Sequence, residues 1–140
     1  MSRVFWDTNL FIYLMEGSGE RARTVVSLRE RMLARGDELY TSTLTLGEIL
    51  VKPAEAGDTA LLQEYEQAIS AGARIVPFDR VAARAYAAIR KDRGIRPPDA
   101  IQLACAVTAR VDLFITNDER LSQKVISGIH FITSLDRTLL

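Results

Sequence analysis

The chain has 140 residues, 48% hydrophobic and 26% charged, with 18 Lys and Arg balanced by 18 Asp and Glu. That length suffices for one domain with its own core, and the zero net charge excludes nucleic-acid binding by bulk electrostatic attraction, leaving only a local basic patch. No apolar run approaches the roughly 20 residues of a membrane helix, no signal-peptide pattern opens the chain, and the lone Cys105 excludes an internal disulfide and fits a reducing, cytoplasmic setting.

Val4-Phe5-Trp6 is expected as a first strand, with Asp7 or Thr8 capping a helix through Leu14. After the break at Gly17-Ser18-Gly19, residues 20–35 are patterned as an amphipathic helix ended by Gly36. Glu38-Leu39-Tyr40-Thr41 follows as a strand, then a helix from about Ser42 to Val51 that stops before Pro53. Asp58 caps the next helix, which ends at Gly72, and Arg74-Ile75-Val76 is a third strand. Asp79 caps a helix through Arg90, and Pro98 suits the first turn of a helix over 98–109. Leu113-Phe114-Ile115 is a fourth strand, a helix is expected over 119–126, and His130-Phe131-Ile132 is a fifth strand. Short strands alternating with longer helices predict an α/β fold of three layers, a mostly parallel sheet of about five strands covered on both faces. Without repeats or linkers, residues 1–140 read as a single domain.

Four acids stand out from ordinary surface charge. Asp7 follows the first strand and Asp118 closes Leu113-Phe114-Ile115-Thr116-Asn117-Asp118. Both lie just beyond the carboxyl ends of expected parallel strands, where open α/β sheets place their sites. Glu48 lies in the apolar stretch Leu44–Val51, sharing a helical face with Leu44, Gly47 and Val51. A Glu there either reaches solvent or has a partner worth its desolvation. Asp99 opens Ala100-Ile101-Gln102-Leu103-Ala104-Cys105-Ala106-Val107, apolar nearly all round and so expected to be buried.

Each acid also has a plainer reading. Asp7 and Asp118 suit helix N-caps, Glu48 has capping-box spacing from Thr45, and Asp99 complements a helix dipole. The conjunction of four carries the weight. Carboxylates gathered in one pocket repel one another and need a cation, and hard oxygen donors suit Mg²⁺ or Mn²⁺, as one or two ions. Among the other acids, Glu20, Glu30, Asp37, Glu64, Glu66, Asp92 and Glu119 sit in polar surroundings, Asp58 and Asp79 look like plain caps, and Asp112 falls at the wrong end of its strand.

The densest basic cluster is Arg90, Lys91, Arg93 and Arg96, four cations in seven residues leading into Asp99. It reads equally as a phosphate-binding patch and as a solvated helix end. Tyr13, Trp6 and Phe11 could stack bases, although aromatics near a first strand are more often core. His130, placed in a strand, reads as structural, and Cys105 reads as a small buried hydrophobe.

Asp7-Thr8-Asn9 after the first strand, Glu48 in an early helix, Asp99-Ala100 opening a buried helix and Thr116-Asn117-Asp118 after a later strand resemble the PIN-domain ribonucleases. The resemblance spans the chain, and its size and order look like the VapC-type toxins of prokaryotic toxin–antitoxin pairs, as does Glu48-Ile49-Leu50-Val51-Lys52-Pro53. It implies a homodimer, Mg²⁺ or Mn²⁺ dependence, endonucleolytic cleavage of RNA and a small antitoxin that occludes the site. The family's acidic quartet falls on Asp7, Glu48, Asp99 and Asp118, as catalytic and metal-holding groups, and its supporting polar residues on Thr8, Asn9, Thr116 and Asn117. Arg90, Lys91, Arg93 and Arg96 could then hold flanking RNA phosphates.

PIN domains also serve in RNA processing without an antitoxin. A non-catalytic RNA- or protein-binding module on the same fold would be expected to lack one or more of the acids. A HAD-like phosphatase would need an Asp-x-Asp pattern that Asp7-Thr8-Asn9 lacks.

Overall fold

A strand in the middle of a helix-covered sheet must be apolar on both sides. Strand β1 (Arg3–Trp6) meets that need: Val4 and Trp6 enter the core on one face, Phe5 enters the core on the other, and all three are fully buried. The computed structural model describes residues 1–138. After β1 come α1 (Thr8–Glu16), α2 (Glu20–Arg35), β2 (Glu38–Ser42), α3 (Thr43–Glu55), α4 (Thr59–Gly72) and β3 (Arg74–Val76). The second half holds α5 (Arg80–Ile89), α6 (Pro97–Thr108), β4 (Leu113–Thr116), α7 (Glu119–Ser122), β5 (Phe131–Ser134) and a 3₁₀ turn, Leu135–Arg137.

The five strands are all parallel, in the order β3-β2-β1-β4-β5. The chain starts at the centre, winds out one way through β2 and β3, and returns to the other side of β1 for β4 and β5. The order therefore reverses between β1 and β4, and the crevice beyond their carboxyl ends is the usual ligand position in such sheets.

Period-2 alternation divides the core in two. Phe5, Tyr40 and Phe114 pack with Leu103, Ala104 and Cys105 of α6. Phe5 and Phe114 are register partners, stacked 5.1 Å apart at 9°. On the other face Val4, Trp6, Leu39 and Ile115 meet Leu10 and Phe11 of α1, Val25, Leu28 and Met32 of α2, and Ile49 and Ile69. Cys105 is fully buried, and burial above all pushes its thiol up to about 11, so it is packing and no nucleophile.

The helix starts follow the expected caps. Asp58 accepts from the Leu61 N–H at 3.0 Å and Asp79 from the Ala82 N–H at 2.9 Å. Asp79→Ala is expected to cost about 1 kcal/mol through loss of the α5 cap, seen as a lower urea midpoint at unchanged slope.

Several expectations need correction. Helix α3 runs past Pro53 to Glu55, because a proline near the last turn forfeits little of the ladder while its ring is buried in the core. The helix expected over 119–126 stops at Ser122: Leu121 is its one buried residue and Val125 is 95% exposed, so no apolar face sustains more turns. Strand β5 begins at Phe131 and runs to Ser134, which leaves His130 outside it, exposed and 3.4 Å from Asp112. Asp37 is not surface charge but a buried carboxylate, held by Arg35 Nε at 3.0 Å and the Ser2 N–H at 2.8 Å. It precedes β2, at the opposite end of the sheet from the crevice, as does Asp112, which accepts from the Arg3 N–H at 2.8 Å.

Candidate active site

Asp7 is the first residue beyond β1, and its backbone N–H continues the sheet ladder to the Ile115 carbonyl at 3.0 Å. It caps α1: Oδ1 accepts from the Thr8 N–H at 2.8 Å, and Oδ2 accepts from the Thr116 hydroxyl at 2.9 Å. Thr116, the last residue of β4, also accepts the Asp118 N–H at 3.0 Å, so one hydroxyl ties the two strand-end acids into a common geometry. Asp118 caps α7, its Oδ1 accepting from the N–H groups of Arg120 at 2.9 Å and Leu121 at 3.3 Å.

Glu48 joins from α3. Its Oε1 accepts from the Thr8 hydroxyl at 2.7 Å. The helix starts at Thr43 with Ser42 as its cap, so Thr45 and Glu48 form no capping box. Glu48 lies on the exposed side of α3, and Thr8 is its partner: the inward positions are Thr45, Ile49 and Pro53, four residues apart, while Gly47 and Val51 face outward with it. Asp99 lies in the first turn of α6, half-buried, behind Pro97 and Pro98.

Electrostatics brings the four together. Burial raises the Asp99 carboxyl, and the charges of Asp7, Asp118 and Glu48 raise it further against the lowering effect of Arg96, to about 6. Asp7 is also raised, first by burial and then by Glu48, against the hydrogen bonds from Thr116, Thr8 and Gln102. Two carboxyls raised first by burial and then by neighbouring carboxylates mark a concentration of negative charge that a cation would relieve.

Among the described residues no three His, Cys, Asp or Glu side chains are grouped so as to enclose an ion by themselves. Such a cage is not what Mg²⁺ requires: it is usually held by one or two carboxylates and keeps several waters. Hard oxygen donors, mutual repulsion and a partly open crevice fit a hydrated divalent ion.

The remaining candidates divide. Thr8 and Thr116 touch the acids directly. Asn9 is exposed on the first turn of α1, and Asn117 turns away, its Nδ2 donating to the Tyr13 hydroxyl at 2.8 Å. Of the basic cluster, Arg96 shares a cleft with Asp99 and Asp118. Arg90 instead braces its own loop by donating to the Ile95 carbonyl at 2.8 Å, and Lys91 and Arg93 are exposed. Arg120 and Lys124, not singled out in the sequence, line the same cleft as Arg96. Trp6 and Phe11 are core, so neither is available for base stacking.

Gln102 and Thr45 were also missed. Gln102 is 2% exposed, and its Nε2 lies 2.7 Å from Thr45 Oγ1, 3.0 Å from Thr8 Oγ1 and 3.4 Å from Asp7 Oδ1. A signal was present: Gln102 is a polar residue inside an otherwise apolar buried helix, three positions after Asp99 and so on its face.

The PIN domain family profile matches residues 4–126. No curated protein matches the chain. Among solved structures, VapBC2 from Rickettsia felis, bound to a DNA fragment from its promoter, aligns with a TM-score of 0.74 at 14% identity, covering 94% of this chain and 98% of that one. The DNA-bound VapBC of Salmonella typhimurium aligns with a TM-score of 0.71 at 20% identity, covering 96% and 99%. A toxin–antitoxin complex from Klebsiella pneumoniae gives 0.66 at 23% identity, covering 90% and 94%. These likenesses establish a shared fold, and with a family match over most of its length the chain belongs to the PIN-domain family.

Proposed function

We propose that residues 1–140 form one metal-dependent endoribonuclease domain, the toxin of a toxin–antitoxin pair. The observation that carries the catalytic half is the gathering of acids at the crevice between β1 and β4: Thr116 ties Asp7 to Asp118, Thr8 meets Glu48, and Asp99 shares a cleft with Asp118. Family membership favours a nuclease. The likeness to toxin–antitoxin complexes favours an antitoxin partner, and a homodimer is what the resemblance to VapC-type toxins implies. Among the described residues no helix is long and apolar enough to cross a membrane.

Asp7 and Asp99 would hold Mg²⁺ or Mn²⁺, with Glu48 and Asp118 beside them, and the ion would supply Lewis-acid polarisation of the phosphodiester and a more acidic water. The chain's own groups do the rest. With Oε1 engaged by Thr8, Glu48 takes a proton from the attacking water on Oε2, as general base. Thr116 and the Thr8 N–H fix the direction of both Asp7 oxygens. Arg96 and Arg120, at the mouth of the cleft, hold phosphates that flank the cut and offset the repulsion between RNA and the acids.

A fluorogenic RNA oligonucleotide is expected to be cut by the wild-type chain with Mg²⁺ or Mn²⁺, and not with EDTA or by Asp7→Asn. Absence of metal-dependent cleavage, or phosphate release from a small monoester instead, overturns the reading. Growth arrest on expression, relieved by Asp99→Ala, tests the toxin half.

A further inference from the structure

We infer that Gln102 is a positioning residue of this site, the centre of a buried relay of hydrogen bonds that holds the Thr8 hydroxyl where it donates to Glu48. The inference rests on the nuclease reading for its catalytic consequence, but the relay itself follows from counting donors and acceptors.

Start with the amide. Its Oε1 pairs with the Ser42 hydroxyl, whose own oxygen already accepts the Thr45 N–H at 3.3 Å, so Ser42 spends its single proton on Gln102. Nε2 then faces Thr45, Thr8 and Asp7, at 2.7, 3.0 and 3.4 Å. The reversed amide would set a carbonyl oxygen against the Asp7 carboxylate, so this orientation is the one the surroundings select.

The two hydroxyls follow. Thr8 Oγ1 lies 2.7 Å from Glu48 Oε1 and 3.1 Å from Thr45 Oγ1. Its one proton goes to the charged acceptor, because a hydrogen bond to a carboxylate is the stronger. Its lone pairs therefore accept from Gln102 and from Thr45. Thr45 accepts the other Gln102 proton and gives its own to Thr8. The two amide protons serve Thr45 and Thr8, the nearer acceptors, and Asp7 Oδ1 at 3.4 Å is the third and longest contact of Nε2.

The relay spans three helices. Ser42 and Thr45 belong to the start of α3, Gln102 to α6 and Thr8 to α1. It therefore registers the elements that carry Glu48, Asp99 and Asp7 against one another. Without the amide, Thr8 is free to turn toward Thr45, and Glu48 loses the donor that aims it.

The test is a double-mutant cycle with Gln102→Met and Thr8→Val, read by cleavage kinetics, and in parallel by the side-chain amide signals of ¹⁵N-labelled protein. Gln102→Met is expected to lower kcat by roughly 10- to 100-fold with KM little changed. In the Thr8→Val background the same change should cost less than about threefold, because Gln102 acts through Thr8. In metal-free wild type the Gln102 amide protons should exchange slowly, and Thr8→Val should shift them. Losses that simply multiply, a change confined to KM, or a lowered Tm with kcat intact each overturn the positioning role.

If Gln102→Met fails to fold, Ser42→Ala removes the Oε1 anchor together with the cap on the Thr45 N–H. The relay then requires a lowered kcat and faster amide exchange, and neither changing overturns it. Should the wild-type chain cleave no RNA at all, the nuclease reading fails while the amide signals still decide for or against the relay.

Discussion

Asp99→Asn is expected to abolish metal-dependent cleavage and at the same time to raise the Tm of the metal-free protein at pH 7. The stability half follows from the direction of the carboxyl's shift. Its value is about 6 in the folded chain against 3.8 ordinarily, first because of burial and then because of Asp7 and Asp118. The folded state therefore binds the proton more tightly than the unfolded state. The resulting stabilisation is complete below about pH 3.8 and is lost as pH rises through 6. At pH 7 the ionised side chain works against folding, and a neutral amide of the same shape removes that opposition. Half-exposure moderates the gain, so the sign is the prediction. The activity half is large. On the proposed reading Asp99 holds the ion, and its loss would forfeit several kcal/mol of transition-state stabilisation, about a thousandfold or more in kcat/KM. Thermal unfolding without metal and cleavage with it check both halves on one preparation. A variant that is less stable and still active would show that Asp99 is an ordinary helix-dipole acid.

Much of the architecture was readable because it rests on local chemistry. The strands β1 and β4 announce themselves as apolar runs ended by acids, and Ser42, Asp58 and Asp79 cap the helices they precede. Asp7 and Asp118 show why cap and site readings are not alternatives. A carboxylate that caps the helix after a parallel strand is already at the sheet's carboxyl edge, with one oxygen on the helix and the other available to the crevice. Glu48 was singled out because a Glu among apolar neighbours reaches solvent or finds a partner. It does both: the period of Thr45, Ile49 and Pro53 turns the other face inward, and Thr8, 40 positions away, meets it, a pairing the helix pattern alone does not reveal. Arg90 read equally as a phosphate contact and as a solvated helix end, because composition cannot reveal that a loop carbonyl, that of Ile95, accepts from its guanidinium. Gln102 was overlooked for the opposite reason: in a stretch read for its hydrophobic periodicity, one buried amide was counted as background. Its role depends on the α6–β2 and α6–α3 packing, which brings together residues some 60 positions apart.

Divalent-ion affinity is expected to fall steeply below pH 6, and to do so while the metal-free protein becomes more stable. Both effects come from the same protons. In the proposed site Asp99, with its carboxyl near 6, and Asp7, also raised above its ordinary value by burial and by Glu48, would have to be ionised to hold the ion. Each competing proton lowers the apparent Mn²⁺ association constant by about tenfold per pH unit below the carboxyl's own value. Above pH 7 the affinity should level off. Calorimetry at pH 6 should show proton release on binding, seen as an enthalpy that varies with the buffer's ionisation heat. The stabilisation conferred by the ion grows as RT ln(1 + [L]/Kd), so the gap in Tm between metal-bound and metal-free protein should widen as pH rises from 5 to 7. The metal-free Tm should meanwhile tend the other way between about pH 4 and 6, where the Asp99 proton leaves the folded chain. In Asp99→Asn the widening should be much reduced. Affinity that is flat from pH 5 to 8, or binding that takes up protons, would show that the ion is held by groups other than these carboxylates.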